Sequence, residues 1–330
     1  MENKENFTKS LLKKNKETYE NVKDITKKLI NIKIYRKDKE VHEKTPEKSE
    51  YRASVLKKIE ILEQEGKFDV DAEDDPPTIV LTPENIDYLR KKMTSKIKRI
   101  FANEMGERFL DSLLKNNKLI IKDVKGIENL QNIETGAMIT CNHFNPFDSF
   151  TVEKVFKMSG KSESKRLYKV IREGNYTNFP GLYGFFFRNC DTLPLSSNKR
   201  TMVNFMKAVD TLLQKGEFIL IYPEQSLWWN YRKPKPLKHG AFKMAARNNV
   251  PVVPIFITMQ DSDKIGEDGY PIQEYTVNIA EPIYPNEQLS YRENIEMMLN
   301  KNFEVWKNIY EDFYGIPLEY TTKTEVKSSI

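Results

Sequence analysis

The sequence predicts an α/β fold: a central, mostly parallel sheet flanked by helices, with an N-terminal helical extension. Short apolar runs alternate with helical patterns from residue 118 onward, as when strands are joined by helical crossovers. The 330 residues are 39% hydrophobic, enough for one large domain with an appendage. Charged residues make up 31% of the chain and are densest in the first 75.

Residues 1–75 read as a charged helical or partly disordered extension. Leu11, Leu12, Val22, Ile25, Leu29 and Ile30 give only a weak helical stripe, and the acidic run from Asp69 to Asp75 precedes a linker at Pro76-Pro77. Residues 76–117 read as a basic amphipathic helix, capped by Thr82 with Pro83 in its first turn. Its apolar face carries Ile86, Leu89, Met93, Ile97, Ile100, Phe101, Met105, Phe109 and Leu113 at helical spacing. Lys91, Lys92 and Lys96 stand on the opposite face, with no acid between Arg90 and Arg99, a pattern suited to an anionic lipid surface.

From residue 118 to 330 the expected strands are Lys118–Val124, Ala137–Cys141, Leu167–Ile171, Phe218–Tyr222, Val252–Thr258 and Tyr275–Ile279. Helices are expected at Lys199–Lys215, Ala241–Asn248 and about Ser290–Tyr314, the last ended by Gly315 and Pro317.

Composition narrows the function. The polar start offers no signal peptide, and the longest apolar stretch, Val250–Ile257, falls far short of the ~20 residues of a membrane span, so a soluble or peripheral protein is expected. A net charge of +5 is modest for this length and argues against a nucleic-acid partner. Cys141 and Cys190 build no metal or redox motif, and no metal site is expected. Cys141 ends an apolar strand and reads as a small buried hydrophobe rather than a nucleophile.

Of three histidines, His42 lies in the extension and His239 opens a helix as a structural residue. His143 directly follows a buried strand, and Asp148 stands five residues on, across a turn favoured by Asn145-Pro146. A carboxylate on one imidazole nitrogen fixes the tautomer and leaves the other free to accept a proton. Such a pair activates a hydroxyl for attack on a carbonyl, although the spacing alone is weak evidence.

Three further blocks stand beside it: Leu193-Pro194-Leu195, Tyr222-Pro223-Glu224 and Pro251 to Pro254. With Asn142, His143 and Asp148, their order and spacing over roughly residues 118–285 resemble the glycerolipid, or lysophosphatidic acid, acyltransferase family with its H-x4-D motif. The resemblance implies that residues 118–330 form an acyltransferase-like domain with a C-terminal helix. It implies transfer of a fatty acyl group from acyl-CoA or acyl carrier protein to a lysolipid hydroxyl, with no cofactor beyond that co-substrate. His143 would be the general base and Asp148 its partner. Asn142, Pro223, Glu224 and Ser226 would bind the acceptor, and Pro251 to Pro254 would shape the acyl pocket.

The third block departs from the family, with Gln225, Ser226, Leu227 and Trp228 in place of Gly-Thr-Arg-Ser. The second block has Ser197 where the family has arginine, so Arg188 or Lys199-Arg200 would supply that charge. Arg232 or Lys233 would take over phosphate contact from the third block, and Trp228 and Trp229 would dip into the membrane interface. The expected partners are an anionic membrane surface and 1-acyl-glycerol-3-phosphate. Other lysophospholipid or glycolipid acceptors stay open, as does a non-catalytic lipid- or acyl-carrier-binding module. The expected location is cytoplasmic, on the inner face of the cell membrane, and the Lys-, Asn- and Ile-rich composition suggests a bacterial source.

Overall fold

The computed structural model describes residues 45–73 and 77–322. The stripe from Leu11 to Ile30, His42 and Pro76 lie outside them.

The helices and strands in chain order are α1 (Thr45–Gln64), α2 (Met93–Lys115), β1 (Ile120–Lys125), α3 (Glu128–Gln131), β2 (Ala137–Cys141), α4 (Asp148–Met158), β3 (Leu167–Ile171) and α5 (Glu173–Thr177). There follow α6 (Gly181–Asn189), β4 (Thr192–Pro194), α7 (Lys199–Gln214), β5 (Phe218–Ile221), α8 (Gly240–Asn248), β6 (Val252–Ile265), β7 (Pro271–Ile279) and α9 (Tyr291–Tyr314). The seven strands form one sheet in the order β1-β7-β6-β2-β5-β3-β4. Every pairing is parallel except β6 with β7, so the expected mostly parallel sheet is present.

Alternation along the strands divides the core between two faces. Met138 of β2 and Phe256 of β6 pack with Phe205, Val209, Phe242, Met298 and Trp306 of α7, α8 and α9. Ile139 and Cys141 of β2, with Val253 and Ile255 of β6, pack with Leu110, Val152 and Phe156 of α2 and α4. β2 is buried at all five positions, as expected for a central parallel strand covered on both faces. Helix ends follow local chemistry. Ser290 and Glu293 form a reciprocal capping box on α9, and Gly315 ends it in the left-handed conformation (φ 68°).

Three expectations need correction. The helix expected from Pro83 begins at Met93. Pro83–Asn85 makes one 3-10 turn, Asp87 accepts the Lys91 and Lys92 N–H groups at 2.9 Å, and Arg90 takes φ 51°. Ile86, Tyr88 and Leu89 serve the core through an irregular segment rather than a helix face. β6 and β7 extend beyond the apolar runs into a longer hairpin, and β4 is a short strand the sequence reading missed.

The third correction concerns residues 49–73, which are not a solvated appendage. Val55, Ile59 and Leu62 of α1 form a small core with Trp228 and Trp229. Phe68 stacks on Trp228, with ring centroids 5.6 Å apart, and the Trp228 Nε1–H donates to Val70 O at 2.7 Å. Both tryptophans are buried, so they do not form the expected membrane contact: this small core takes the apolar area they would have offered to lipid. Among the described residues no helix is long and apolar enough to cross a membrane.

Candidate active site

The parallel strands bring three loops to the same, carboxyl edge of the sheet, the edge on which open α/β sheets form ligand sites. His143 follows β2, Tyr222 to Glu224 follow β5, and Arg172 follows β3; β5 lies between the other two strands. Asp148 is the first residue of α4, where the helix dipole favours a negative charge.

The histidine and the aspartate meet. His143 Nδ1 lies 2.7 Å from Asp148 Oδ2, with the imidazole 25% exposed and the carboxylate 1% exposed. Asp148 Oδ2 also faces the backbone N–H groups of Phe144 and Asn145, at 3.2 and 3.4 Å. An ionised carboxylate only accepts, so the proton sits on Nδ1 and the Nε2 lone pair is available. Among the described residues no hydrogen bond engages Nε2. The arrangement can take a proton from a hydroxyl brought to the open edge of the ring.

The four residues expected to bind the acceptor instead build the scaffold. Asn142 is buried, and its amide bridges to β6 by accepting Ile257 N–H at 2.8 Å and donating to Ile257 O at 3.0 Å. Pro223 is buried, and its carbonyl accepts Lys238 N–H. Glu224 is buried and accepts the backbone N–H groups of His143 and Lys235. Ser226 is buried, its hydroxyl donating to Phe68 O and accepting from Lys235 Nζ. Each correction has one reason: the polar atoms are used up inside the protein, as burial demands. Pro251 to Pro254 likewise lie buried at the start of β6.

The expected cations are dispersed. Arg188 donates to the Tyr176 and Phe179 carbonyls and lines a cleft of about 390 Å³ with Arg90, Lys92 and Lys98; His143 is not part of that cleft. Lys199 and Arg200 are exposed at the start of α7, beyond β4. Arg232 pairs with Asp261 at 2.8 Å and Lys233 with Glu63 at 2.7 Å, so neither stands as an uncommitted replacement for the third-block arginine. Lys91, Lys92 and Lys96 are exposed, and so are Met93 (68%), Ile97 (51%) and Ile100 (41%) beside them.

Two residues on this edge of the sheet escaped the sequence reading. The Tyr222 hydroxyl donates to Asp148 Oδ1 at 2.6 Å. Arg172 donates to Gln225 O in the third block and pairs with Asp71, whose other oxygen accepts Leu227 N–H at 2.8 Å. Both follow a strand directly, which is the signal that would have found them.

Residues 122–258 match the family model for acyltransferases. The chain is 30% identical over 167 residues to the chloroplastic 1-acyl-sn-glycerol-3-phosphate acyltransferase BAT2 of Brassica napus, covering 49% of this chain and 45% of that protein. It is 30% identical over 148 residues to the chloroplastic 1-acyl-sn-glycerol-3-phosphate acyltransferase LPAT1 of Arabidopsis thaliana, covering 44% and 38%. The chain thus spans less than half the length of these curated relatives. A crystal structure of the 1-acyl-sn-glycerophosphate acyltransferase PlsC from Thermotoga maritima superposes with a TM-score of 0.46 at 18% identity, over 70% of this chain and 87% of that one. Residues 122–258 thus match the acyltransferase model, and this part of the chain is similar to 1-acyl-sn-glycerol-3-phosphate acyltransferases.

Proposed function

We propose that this protein is an O-acyltransferase that moves a fatty acyl group from a thioester, acyl-CoA or acyl carrier protein, to the free hydroxyl of 1-acyl-glycerol-3-phosphate, giving phosphatidic acid. One observation carries the reading: the His143 imidazole is held by a buried carboxylate at 2.7 Å while its other nitrogen stays unengaged. His143 Nε2 takes the hydroxyl proton as the acceptor oxygen bonds to the thioester carbonyl carbon. The tetrahedral intermediate then expels the thiolate, which receives the proton from the imidazolium. Asp148 orients the ring and offsets its transient charge. The chemistry calls for no metal or organic cofactor.

The exposed stripe of Met93, Ile97 and Ile100, flanked by Lys91, Lys92, Lys96 and Lys98, supports a peripheral position on an anionic membrane, on its cytoplasmic face. The curated relatives named for 1-acyl-sn-glycerol-3-phosphate support the acceptor. Of the cations beside the third block, Arg172 is paired with Asp71 and Lys235 is buried against Glu224 and Ser226. Those pairings favour a second reading in which the acceptor is another lysophospholipid or a monoacyl glycolipid.

The test is acyl transfer by the purified full chain to lysophosphatidic acid, lysophosphatidylglycerol and a monoacyl glycolipid, with each donor offered. Preferred turnover of lysophosphatidic acid is expected. Preference for another acceptor would install the second reading, and no turnover with either donor would remove the enzymatic one.

A further inference from the structure

Tyr222 engages both members of the His143–Asp148 pair. Its hydroxyl donates to Asp148 Oδ1 at 2.6 Å, while its ring lies over the His143 imidazole, with centroids 4.0 Å apart and planes inclined by 19°. Asp148 Oδ2 serves the imidazole, so the buried carboxylate devotes one oxygen to the histidine and the other to the phenol. The triangle follows from the sheet: Tyr222 is the first residue after β5, and β5 pairs with β2, which leads into His143.

We infer that Tyr222 is a positioning residue for the His143 base, fixing Asp148 through Oδ1 and the imidazole plane through its ring. The inference rests on the reading of His143 as the base. A donor on Oδ1 draws negative charge away from Oδ2; without it, the carboxylate holds an imidazolium more tightly. Burial first, and then the Asp148 charge, push the Tyr222 phenol well above its ordinary range, so the hydroxyl keeps its proton and stays a donor. The ring face is covered by an aromatic contact at stacking distance, which resists rotation of the imidazole.

Other titratable groups pack around the pair. Glu224 accepts His143 N–H, Lys235 pairs with Glu224, and the Cys141 thiol and Tyr275 phenol lie within the field of Asp148. A change confined to the Tyr222 hydroxyl leaves all four in place.

Tyr222→Phe removes the hydroxyl and keeps the ring; Tyr222→Leu removes both. For the Phe variant we expect kcat to fall about 10-fold with KM nearly unchanged, and the acid limb of the kcat profile to move to higher pH. The Leu variant should lose more. A second readout needs no turnover: side-chain 15N NMR, assigned with His143→Ala, follows the imidazole through a pH titration. The Phe variant should shift the midpoint of that ring upward while its thermal unfolding matches wild type. An unchanged ring midpoint and an unchanged acid limb would overturn the inference. Retained acyl transfer in His143→Ala would overturn the base reading instead, with the ring midpoint still deciding whether Tyr222 acts on the imidazole.

Discussion

The Glu224 carboxylate accepts the backbone N–H of His143 at 3.0 Å across 81 residues of sequence. Its other oxygen accepts Lys235 N–H at 2.8 Å, and Lys235 Nζ lies 3.6 Å from the oxygen that faces His143, with both side chains buried. Glu224 thus holds the base-bearing loop rather than the acceptor. Burial pushes Glu224 up and Lys235 down, each opposed by the other's charge. Glu224→Gln leaves a buried ammonium without its counter-charge and should cost about 3–5 kcal/mol in urea unfolding. Wild-type stability with a raised acceptor KM would instead return Glu224 to substrate binding.

Gln225 stands at φ 64°, a left-handed conformation that side chains adopt at a cost. The family block has glycine at this position. Gln225→Gly relieves the crowding of Cβ and gives back part of the gain as unfolded-chain entropy. A net stabilisation of about 0.5–1 kcal/mol is expected in equilibrium unfolding; a loss would show that the Gln225 side chain contributes packing.

Trp228 joins the loop after β5 to Phe68 and Val70. Trp228→Ala should cost about 3–5 kcal/mol by opening a cavity in that small core. Binding to anionic vesicles should instead follow the exposed stripe on α2: Met93→Ser with Ile97→Ser should reduce co-sedimentation and leave the unfolding midpoint near wild type. Undiminished binding by the double variant would remove the membrane role of this face.

Glu173 gives a pH dependence. Its burial raises the carboxyl, but Leu81 N–H, the Ser196 hydroxyl and both the N–H and hydroxyl of Ser197 outweigh that and leave it below its ordinary 4.5. A carboxyl lowered by folding adds stability that is present above its unfolded value and is lost as pH falls through the folded one. Asp87 and Glu63 are lowered as well. The thermal midpoint should therefore hold from pH 7 to about 5 and fall below pH 4.5. Glu173→Gln should begin about 1–3 kcal/mol lower at pH 7 and lose less on acidification. Parallel decline of both proteins would exclude Glu173 as a contributor.

The sequence made the central strands and the His143–Asp148 pair legible for the same reason. β2 and β3 are short apolar runs whose bounds match the expected ones, and a polar residue directly after such a run lands on the sheet's carboxyl edge. The start of α2 was illegible because Ile86 and Leu89 keep a helical period while packing through a bent segment pinned by Asp87. Trp228 was misread because its partners, Phe68 and Val70, lie some 160 residues away in a segment whose composition reads as solvated (158 for the Val70 hydrogen bond). Glu224 and Ser226 looked like substrate ligands because a buried acid and a buried ligand share one sequence signature. Only their partners, Lys235 and the His143 backbone, tell them apart.

The most direct test compares the acyl-transfer rate of His143→Ala with wild type, at saturating lysophosphatidic acid and acyl donor, with circular dichroism and unfolding matched between the two. The account expects a loss of about 10²–10⁴-fold in kcat with the fold intact. A folded variant that retains the wild-type rate would contradict it.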